Sequence, residues 1–450
     1  MAQIPDQQDF RGIADGIAAD IAAGKLKPGD RLPPQRDFAY DRGIAASTAG
    51  RVYAELQRRG LIVGEVGRGT FVRAPAAPPR TILAEPAQSR VDLEFNFAIL
   101  ADQHAALAPG MSALLQPEAL VQAQRPLGAT ATPEARAAAA AFLATRDWSP
   151  DAAQILFAGN GRQAIATALT ALARPGERIG VEAMTYAVAK NVAARLGIVL
   201  VPLALDAQGM KPEALAQAHR STPLRGVYLQ PSLHNPLGVT MGQERRAAIA
   251  AVLAETGIVA IEDAVYGFLA DETPLAAFAP AQVIVVDSLS KRIAPGLTIG
   301  FIAAPPALTS RVAAALRTGA WTAAGLPLVA CLAWMADGTA ARLAAAKRAD
   351  AMVRQSLARE ALGDLSFQGD PRSYHLWLEL PERWRAEAFT AAAARLGIAV
   401  APASAFAVSP GYAPNAVRLA LASPPIDVLA VALGALRRLA LGDPADSGVE

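Results

Sequence analysis

The stretch Val283-Ile-Val-Val-Asp-Ser-Leu-Ser-Lys291 is an apolar, β-branched run that stops at two serines and a lysine. A continuous apolar run of this kind is typical of a strand buried on both faces of a sheet. Three polar motifs upstream also follow apolar runs: Asp263-Ala-Val-Tyr266, His234-Asn-Pro-Leu-Gly238 and Gly159-Asn-Gly-Arg-Gln163. Because an α/β sheet binds its ligands at the carboxyl ends of its strands, these motifs predict a binding site there.

The chain from Val91 onward alternates Ala-rich helical stretches with short β-branched runs. Seven runs are candidate strands: residues 155–157, 178–181, 199–201, 226–229, 259–261, 283–286 and 299–302. This alternation predicts an α/β domain with a mainly parallel central sheet. We predict that the domain spans residues 91–450, with a large part over about 140–310 and a small part over about 320–450.

The polar residues after these strands are those that a bound pyridoxal 5'-phosphate requires. A lysine amine forms a Schiff base with the cofactor aldehyde, which assigns Lys291. Asp263 is the candidate carboxylate that keeps the ring nitrogen protonated. Tyr266 and Asn235 can hydrogen-bond to the ring hydroxyl, and Tyr186 can cover the ring face. Taken singly, Asp263 could cap a helix, Asn235 could belong to a turn and Tyr186 could be ordinary packing.

The cofactor phosphate needs backbone N–H groups at the start of a helix. The turn before the predicted helix at residues 164–172 supplies them from Gly161, Arg162 and Gln163. Ser288 and Ser290 are further candidate donors. The sequence predicts no metal ligands beside these groups.

The first 73 residues have a different pattern. Apolar spacing predicts helices over residues 9–23, from 33–34 to 43, and from 46–47 to 60, followed by strands over 61–65 and 69–73. Three helices and a hairpin are typical of a winged helix-turn-helix, although a small α+β domain of another purpose has the same elements. Residues 42–73 carry six basic and two acidic side chains, as a surface that faces phosphates requires.

Two motifs here, Leu26-Lys-Pro-Gly-Asp-Arg-Leu-Pro-Pro-Gln-Arg36 and Gly67-Arg-Gly-Thr-Phe-Val72, resemble the GntR-type DNA-binding domain over residues 9–73. An alternative role for the Thr48 region is simple capping of the third helix. A proline-rich stretch, residues 74–90, follows this domain and is predicted to be a linker. The resemblance implies contacts with double-stranded operator DNA by four side chains: Arg36, Thr48, Arg51 and Arg68.

The larger domain resembles the fold type I aminotransferases over about residues 91–440. By this resemblance, Arg418 matches the arginine that binds the α-carboxylate of a substrate. A GntR-type domain joined to an aminotransferase-like domain resembles the MocR subfamily of bacterial transcription regulators. That resemblance implies a homodimer that binds pyridoxal phosphate and responds to it, or to an amino-acid or amine effector that reacts with it.

The chain departs from the family pattern at two places. Relatives usually carry an arginine that pairs with the cofactor phosphate where this chain has Thr298, and often a tyrosine where it reads Pro126-Leu-Gly128. We hypothesise that Arg162 or Arg292 replaces the missing arginine, because a charge-assisted hydrogen bond contributes roughly 1.5–3 kcal/mol. Both losses favour sensing over efficient transamination.

Bulk features limit the function further. The single cysteine, Cys331, excludes an internal disulfide and fits a reducing compartment. The sequence shows neither a signal peptide nor an apolar run of about 18 residues, so we expect a soluble cytoplasmic protein without a membrane span. The favoured function is a DNA-binding transcription regulator with, at most, residual transaminase activity. The alternatives are an active class I/II aminotransferase with an accessory DNA-binding domain, and a regulator that has lost the cofactor.

Overall fold

The chain divides into two compact units, residues 1–81 and residues 82–450. The predicted linker, residues 74–90, lies outside the described residues except for Arg90. The computed structural model describes residues 10–22, 25–27, 29–58, 61–65, 69–72, 90–125, 127–409 and 413–444.

The described residues of the first unit form three helices and a three-stranded antiparallel sheet of order β1-β3-β2. The helices and the last two strands are those predicted, within one to two residues at most ends. The first strand was not predicted, because two residues are too short to show an alternating pattern. In chain order, the elements are α1 (Phe10–Ala22), β1 (Arg31–Leu32), α2 (Gln35–Asp41), α3 (Ala46–Arg58), β2 (Ile62–Glu65) and β3 (Gly69–Val72).

A small apolar core holds the first unit together. Ile17, Phe38, Val52 and Leu56 are buried in one cluster between the helices and the sheet. The ring of Tyr53 packs edge-on against Phe38 at 5.3 Å between centroids. The buried residues of α3 recur at the helical spacing, so this helix keeps its opposite face free of the core.

The second unit has longer elements. Its strands are β4 (Val91–Asp92), β5 (Ile155–Ala158), β6 (Arg178–Glu182), β7 (Val199–Leu203), β8 (Leu205–Asp206), β9 (Gly209–Met210), β10 (Gly226–Leu229), β11 (Val259–Asp263), β12 (Val283–Ser288), β13 (Gly300–Ala303), β14 (Phe367–Gln368), β15 (His375–Glu379), β16 (Ile398–Ala399), β17 (Ala401–Pro402) and β18 (Ala416–Ala420). Its helices are α4 (Gln103–Ala113), α5 (Pro117–Ala123), α6 (Pro133–Leu143), α7 (Gly161–Leu172), α8 (Ala187–Arg195), α9 (Pro212–Ser221), α10 (Gln243–Thr256), α11 (Gly267–Ala270), α12 (Leu275–Phe278), α13 (Leu289–Arg292), α14 (Pro306–Thr318), α15 (Gly325–Ala336), α16 (Thr339–Leu362), α17 (Ala386–Arg395) and α18 (Ile426–Leu441).

A seven-stranded sheet of order β5-β13-β12-β11-β10-β6-β7 forms the centre of this unit. All seven predicted runs are strands of this sheet. Only β13 runs antiparallel to its neighbours, so the predicted mainly parallel sheet is confirmed. Buried clusters lie on both faces of the sheet, which explains the continuous apolar runs. Asp263 and Val286 are register partners, so the ends of β11 and β12 lie side by side.

A second, antiparallel sheet of order β14-β15-β18-β17 lies in the C-terminal part of the unit. Its core includes Trp384 and Phe389, whose rings pack edge-on at 5.3 Å. Strand β4 pairs in parallel with β16, and Leu93 is buried in the same core. The first residues of the unit therefore join this part, which sequence spacing alone did not predict.

Within the described ranges, no single helix is both long and apolar enough to cross a membrane. The pair α15 and α16, bent by 75° at their junction, meets that test together by length and composition alone.

Candidate functional site

A cavity of about 640 Å³ in the second unit lies where the central strands end. Of the predicted cofactor and effector residues, only Gln163 does not line it. Its backbone N–H, predicted to bind phosphate, instead donates to Asn160 Oδ1 at 3.0 Å as part of a helix cap. The predicted residues that line the cavity are Gly161, Arg162, Tyr186, Asn235, Asp263, Tyr266, Ser288, Ser290, Lys291 and Arg418.

Lys291 reaches the cavity because β12 ends at Ser288, whose side-chain oxygen caps the short helix α13. Its Nζ donates to the backbone oxygen of Asn96 at 2.5 Å and lies 3.6 Å from the ring centroid of Phe97. Burial lowers the pKa of Lys291 well below its ordinary value, and the nearby Arg418 and Arg162 lower it further. The amine is therefore held towards its neutral, nucleophilic form.

Asp263 ends β11, the strand beside β12, and is 3% exposed. Its Oδ2 accepts hydrogen bonds from Tyr228 Oη at 2.7 Å and Gln230 Nε2 at 3.0 Å, and its Oδ1 accepts one from Val265 N at 3.2 Å. Burial raises the pKa of Asp263 to about 6, although these donors act in the opposite direction. A buried carboxylate held in this way suits a cationic ring nitrogen.

Tyr228 and Gln230 were missed by the sequence analysis. They lie at the end of β10, which pairs with β11, and Tyr228 is opposite Ile261 in the ladder. Their spacing places both side chains on one face of the strand, but it does not show which neighbouring strand they meet. A tyrosine and a glutamine after an apolar run have no motif, and only the order of strands in the sheet brings them to Asp263.

The predicted phosphate end of the cavity is formed by the start of α7. A Cβ atom added to Gly161 would lie 3.0 Å from Ser288 Oγ, so glycine permits the close approach of the helix start to β12. The hydroxyls of Ser290 and Thr298 are hydrogen-bonded at 2.9 Å. Thr298 thus completes a hydroxyl pair at the position where the family resemblance implies a cation.

The two candidates for the missing cation have different surroundings. Arg162 is exposed and lines the cavity. Arg292 does not line it. Its guanidinium instead contacts Asp287 Oδ2 at 2.5 Å and stacks on the rings of Phe142 and Phe268 at 5.0 and 5.1 Å. Only Arg162 is placed to meet an anion in the cavity without breaking an existing ion pair.

Arg418, on β18, also lines the cavity and is 4% exposed. Its Nη1 donates to Asn235 Oδ1 at 3.1 Å, and its Nη2 donates to the backbone oxygen of Glu94. Its Nε has no hydrogen-bond partner among the residues that the structure describes. A buried guanidinium with an unused N–H suits a carboxylate ligand.

Segment 94–97 also lines this cavity and was missed by the sequence analysis. Its backbone oxygens accept hydrogen bonds from Arg418, from Lys291 and, at 2.6 Å, from Ser423 Oγ. The side chain of Asn96 donates to Tyr266 Oη at 2.9 Å. Three of these four contacts use backbone carbonyls, which any residue type supplies, so no sequence motif marks the segment.

The predicted DNA-binding residues lie in the first unit. Arg36 is exposed in the first turn of α2, and Thr48 is half-buried in α3. Arg51 is exposed on α3, with its guanidinium 4.7 Å from the ring centroid of Phe10. Arg68 lies outside the described residues. The roles of these four residues stay predictions.

Comparison with known families divides the chain in the same way. Residues 10–72 match the family of bacterial regulatory proteins of the gntR type, and residues 108–436 match the class I and II aminotransferases. The second match covers most of the chain.

Individual proteins are similar over nearly the full length. The HTH-type transcriptional regulator YdeF of Bacillus subtilis (strain 168) is 31% identical over 437 residues, which is 96% of this chain and 94% of YdeF. The vitamin B6 salvage pathway transcriptional repressor PtsJ of Salmonella typhimurium is 28% identical, over 90% and 92% of the two chains. The crystal structure of an archaeal alanine:glyoxylate aminotransferase superimposes with a TM-score of 0.72 at 20% identity, over 96% of this chain and 99% of that one.

Proposed function

Because the chain belongs to the MocR subfamily of GntR-type transcription regulators, we propose that it binds pyridoxal 5'-phosphate at Lys291 and regulates transcription in response. The observation that carries this proposal is one cavity that holds a buried carboxylate, Asp263, and a lysine amine kept towards its neutral form. The similarity to PtsJ, a repressor of vitamin B6 salvage by its name, supports it.

The residues present fit the cofactor. The bound cofactor supplies an aldehyde that condenses with a primary amine, and a ring that withdraws electrons. Lys291 provides the amine and Asp263 the carboxylate for the ring nitrogen. Tyr266 and Asn235 are the candidate partners of the ring hydroxyl, and Tyr186 is the candidate ring cover.

The phosphate would lie at the start of α7. Backbone N–H groups of Gly161 and Arg162 are not used by the cap that holds Gln163, and the helix start favours an anion. Ser288 and Ser290 can donate hydroxyl hydrogen bonds, and Arg162 can supply the cation that Thr298 lacks.

This assignment of Arg162 predicts a loss of cofactor affinity in Arg162→Ala. Removal of this charge-assisted hydrogen bond should raise the dissociation constant by roughly tenfold, the low end of the usual range, because Arg162 is exposed and solvent screens its charge. Arg292→Ala should leave it unchanged and lower thermal stability instead, because Arg292 pairs with Asp287 and packs on two rings. Fluorescence titration with the cofactor measures both. Unchanged affinity in Arg162→Ala with reduced affinity in Arg292→Ala would reverse the assignment.

The effector side of the proposal depends on Arg418. A ligand carboxylate would compete with the Glu94 carbonyl for Arg418, and the cofactor would compete with the Asn96 carbonyl for Lys291. Both carbonyls belong to segment 94–97, which closely follows the predicted linker, residues 74–90, in the chain. We expect a ligand in the cavity to release this segment. We expect this release, in turn, to change the DNA affinity of the first unit.

We further propose that the protein acts as a homodimer. Apolar side chains are exposed along α4, α5 and the turn between them, where a partner subunit would cover them. The side chains concerned are Met111, Leu115, Leu120 and Val121. The two DNA-binding units of a dimer would bind two half-sites of an operator.

A mobility-shift assay on the DNA that flanks the protein's own gene tests the proposal. We expect DNA affinity to change on addition of pyridoxal phosphate, and to change again with amino acids or amines that react with it. The same protein, supplied with an amino acid and a keto acid, should show no sustained turnover. Sustained turnover, together with a DNA affinity that does not change on addition of the cofactor, would favour the aminotransferase alternative.

A further inference from the structure

A second lysine, Lys347 on α16, lies directly beneath the short helix that carries Lys291. Its side chain is 0% exposed. Its Nζ donates to the backbone oxygen of Lys291 at 3.1 Å and to that of Ile293 at 2.5 Å. The Ile293 oxygen accepts a second hydrogen bond from Gln103 Nε2 at 3.0 Å. The peptide groups at the end of α13 are thus fixed by a buried ammonium.

Lys347 forms no ion pair within the described part of the chain. The nearest acid on its own helix, Asp350, contacts Arg354 Nε and Tyr374 Oη, both at 2.8 Å. Burial lowers the pKa of Lys347 to about 8, and Asp350 acts in the opposite direction. An unpaired buried charge lowers the stability of the folded protein. A leucine or methionine would fill the same space with a smaller loss of stability, so the lysine points to a specific role.

We propose that Lys347 is a positioning residue of the cofactor site, which fixes the peptide of Lys291 to α16 and places a positive charge near the Lys291 amine. This inference rests on the proposed binding of pyridoxal phosphate at Lys291. Two hydrogen bonds hold the short helix α13 from its C-terminal end, where a cation is favourable. The charge favours the unprotonated state of the nitrogen that joins Lys291 to its ligand.

Other charged groups act on the same nitrogen and must stay in place during a test. Arg418 comes from β18, Arg162 from α7 and Asp263 from β11, while Tyr266 lies at the start of α11. Groups that face Lys347 are Asp350 on α16, Tyr374 before β15 and Lys291 itself. Substitution of Lys347 changes none of these side chains.

Lys190 on α8 offers a matched control. Its Nζ also donates to two backbone oxygens, those of Ala405 and Ala407, at 2.9 and 2.5 Å. Burial lowers its pKa to about 8, as for Lys347. It does not line the cavity and does not contact the Lys291 backbone, so Lys190→Met removes the same chemistry without affecting α13.

The test compares Lys347→Met, Lys190→Met and the wild type, each loaded with pyridoxal phosphate. The visible absorbance of the bound cofactor is titrated with pH below 8, where Lys347 is charged. Loss of one unit charge in a protein interior should move the midpoint of Lys347→Met upward by on the order of one pH unit. The midpoint of Lys190→Met should stay at the wild-type value. Borohydride reduction followed by mass spectrometry should identify Lys291 as the site of attachment in all three proteins.

Each outcome decides the inference. If Lys347→Met unfolds, Lys347→Gln keeps a donor for the carbonyls, loses the charge and should show the same upward shift. An unshifted midpoint in a folded Lys347 variant would overturn the positioning role while leaving the proposed cofactor binding intact. Unfolding of both Lys347 variants, with Lys190→Met folded, would assign Lys347 to stability and also overturn it. A wild-type protein without any visible absorbance would overturn the proposed function and this inference together.

Discussion

Replacing Lys291 with alanine is expected to abolish covalent attachment of pyridoxal phosphate and, with it, the response of DNA binding to the cofactor. The alanine has no amine, and no other lysine lines the described cavity. Lys347 cannot replace Lys291 as the reacting amine, because its side chain is fully buried and its Nζ donates hydrogen bonds to two backbone oxygens. We therefore expect complete loss of the visible absorbance and of the mass increase after borohydride reduction, with noncovalent binding weakened but present.

DNA binding without cofactor should be unchanged in Lys291→Ala, since the predicted DNA contacts belong to the separate unit of residues 1–81. Lys190→Ala provides the control for loss of a lysine that does not line the cavity. Mobility-shift titrations of the three proteins, with and without cofactor, measure the response. A full cofactor response in Lys291→Ala would show that regulation does not depend on this amine. The proposal that the protein responds through cofactor bound at Lys291 would then be wrong.

The central sheet could be predicted because burial of both its faces requires apolar side chains along each strand. Most strands are short apolar runs, and two central candidates lie close after such runs: Asp263 is two residues after Ile261, and Lys291 is five residues after Val286. The winged helix was predictable for a similar reason, because α3 repeats its buried residues at helical spacing. Both signals come from local periodicity, which a single sequence contains.

The rest of the site depends on which distant segments meet. Segment 94–97 contributes mainly backbone oxygens, and Tyr228 reaches Asp263 only because β10 and β11 are neighbours. Lys347 lies 56 residues from Lys291 on a helix without a motif. Pairings of this kind are set by the tertiary fold, so residue type and spacing could not have predicted them.

The loss at Thr298 also becomes clearer with the structure, whereas Pro126 lies outside the described residues. Thr298 shares a hydrogen bond with Ser290, so the position keeps a polar contact but no charge. Arg292 is already paired, which leaves the exposed Arg162 as the one candidate of the two for the phosphate. An exposed arginine on a helix start gives less electrostatic stabilisation than a buried one, because solvent screens it. Weaker phosphate binding is compatible with a protein that senses the concentration of its ligand.

The second large effect is expected at Asp263. Asp263→Asn should weaken cofactor binding by on the order of a hundredfold or more, since breaking a buried charge pair costs about 3–5 kcal/mol. In the wild type, the raised pKa of about 6 means that the empty site binds a proton below that pH. A protonated ring nitrogen needs the ionised carboxylate, so binding must release this proton. The contribution of Asp263 to cofactor affinity should therefore be constant above pH 6 and fall by up to about tenfold per pH unit below it.

Two variants separate this explanation from a general effect of acid. Asp263→Asn has no carboxyl to titrate, so its weak binding should not show the fall below pH 6. Tyr228→Phe removes the hydrogen bond at 2.7 Å that favours the ionised carboxylate, so the fall should begin at a higher pH than in the wild type. Fluorescence titrations from pH 5 to 8 would measure all three proteins. A fall in Asp263→Asn as steep as in the wild type, or a Tyr228→Phe profile displaced to lower pH, would mean that Asp263 does not pair with the cofactor ring.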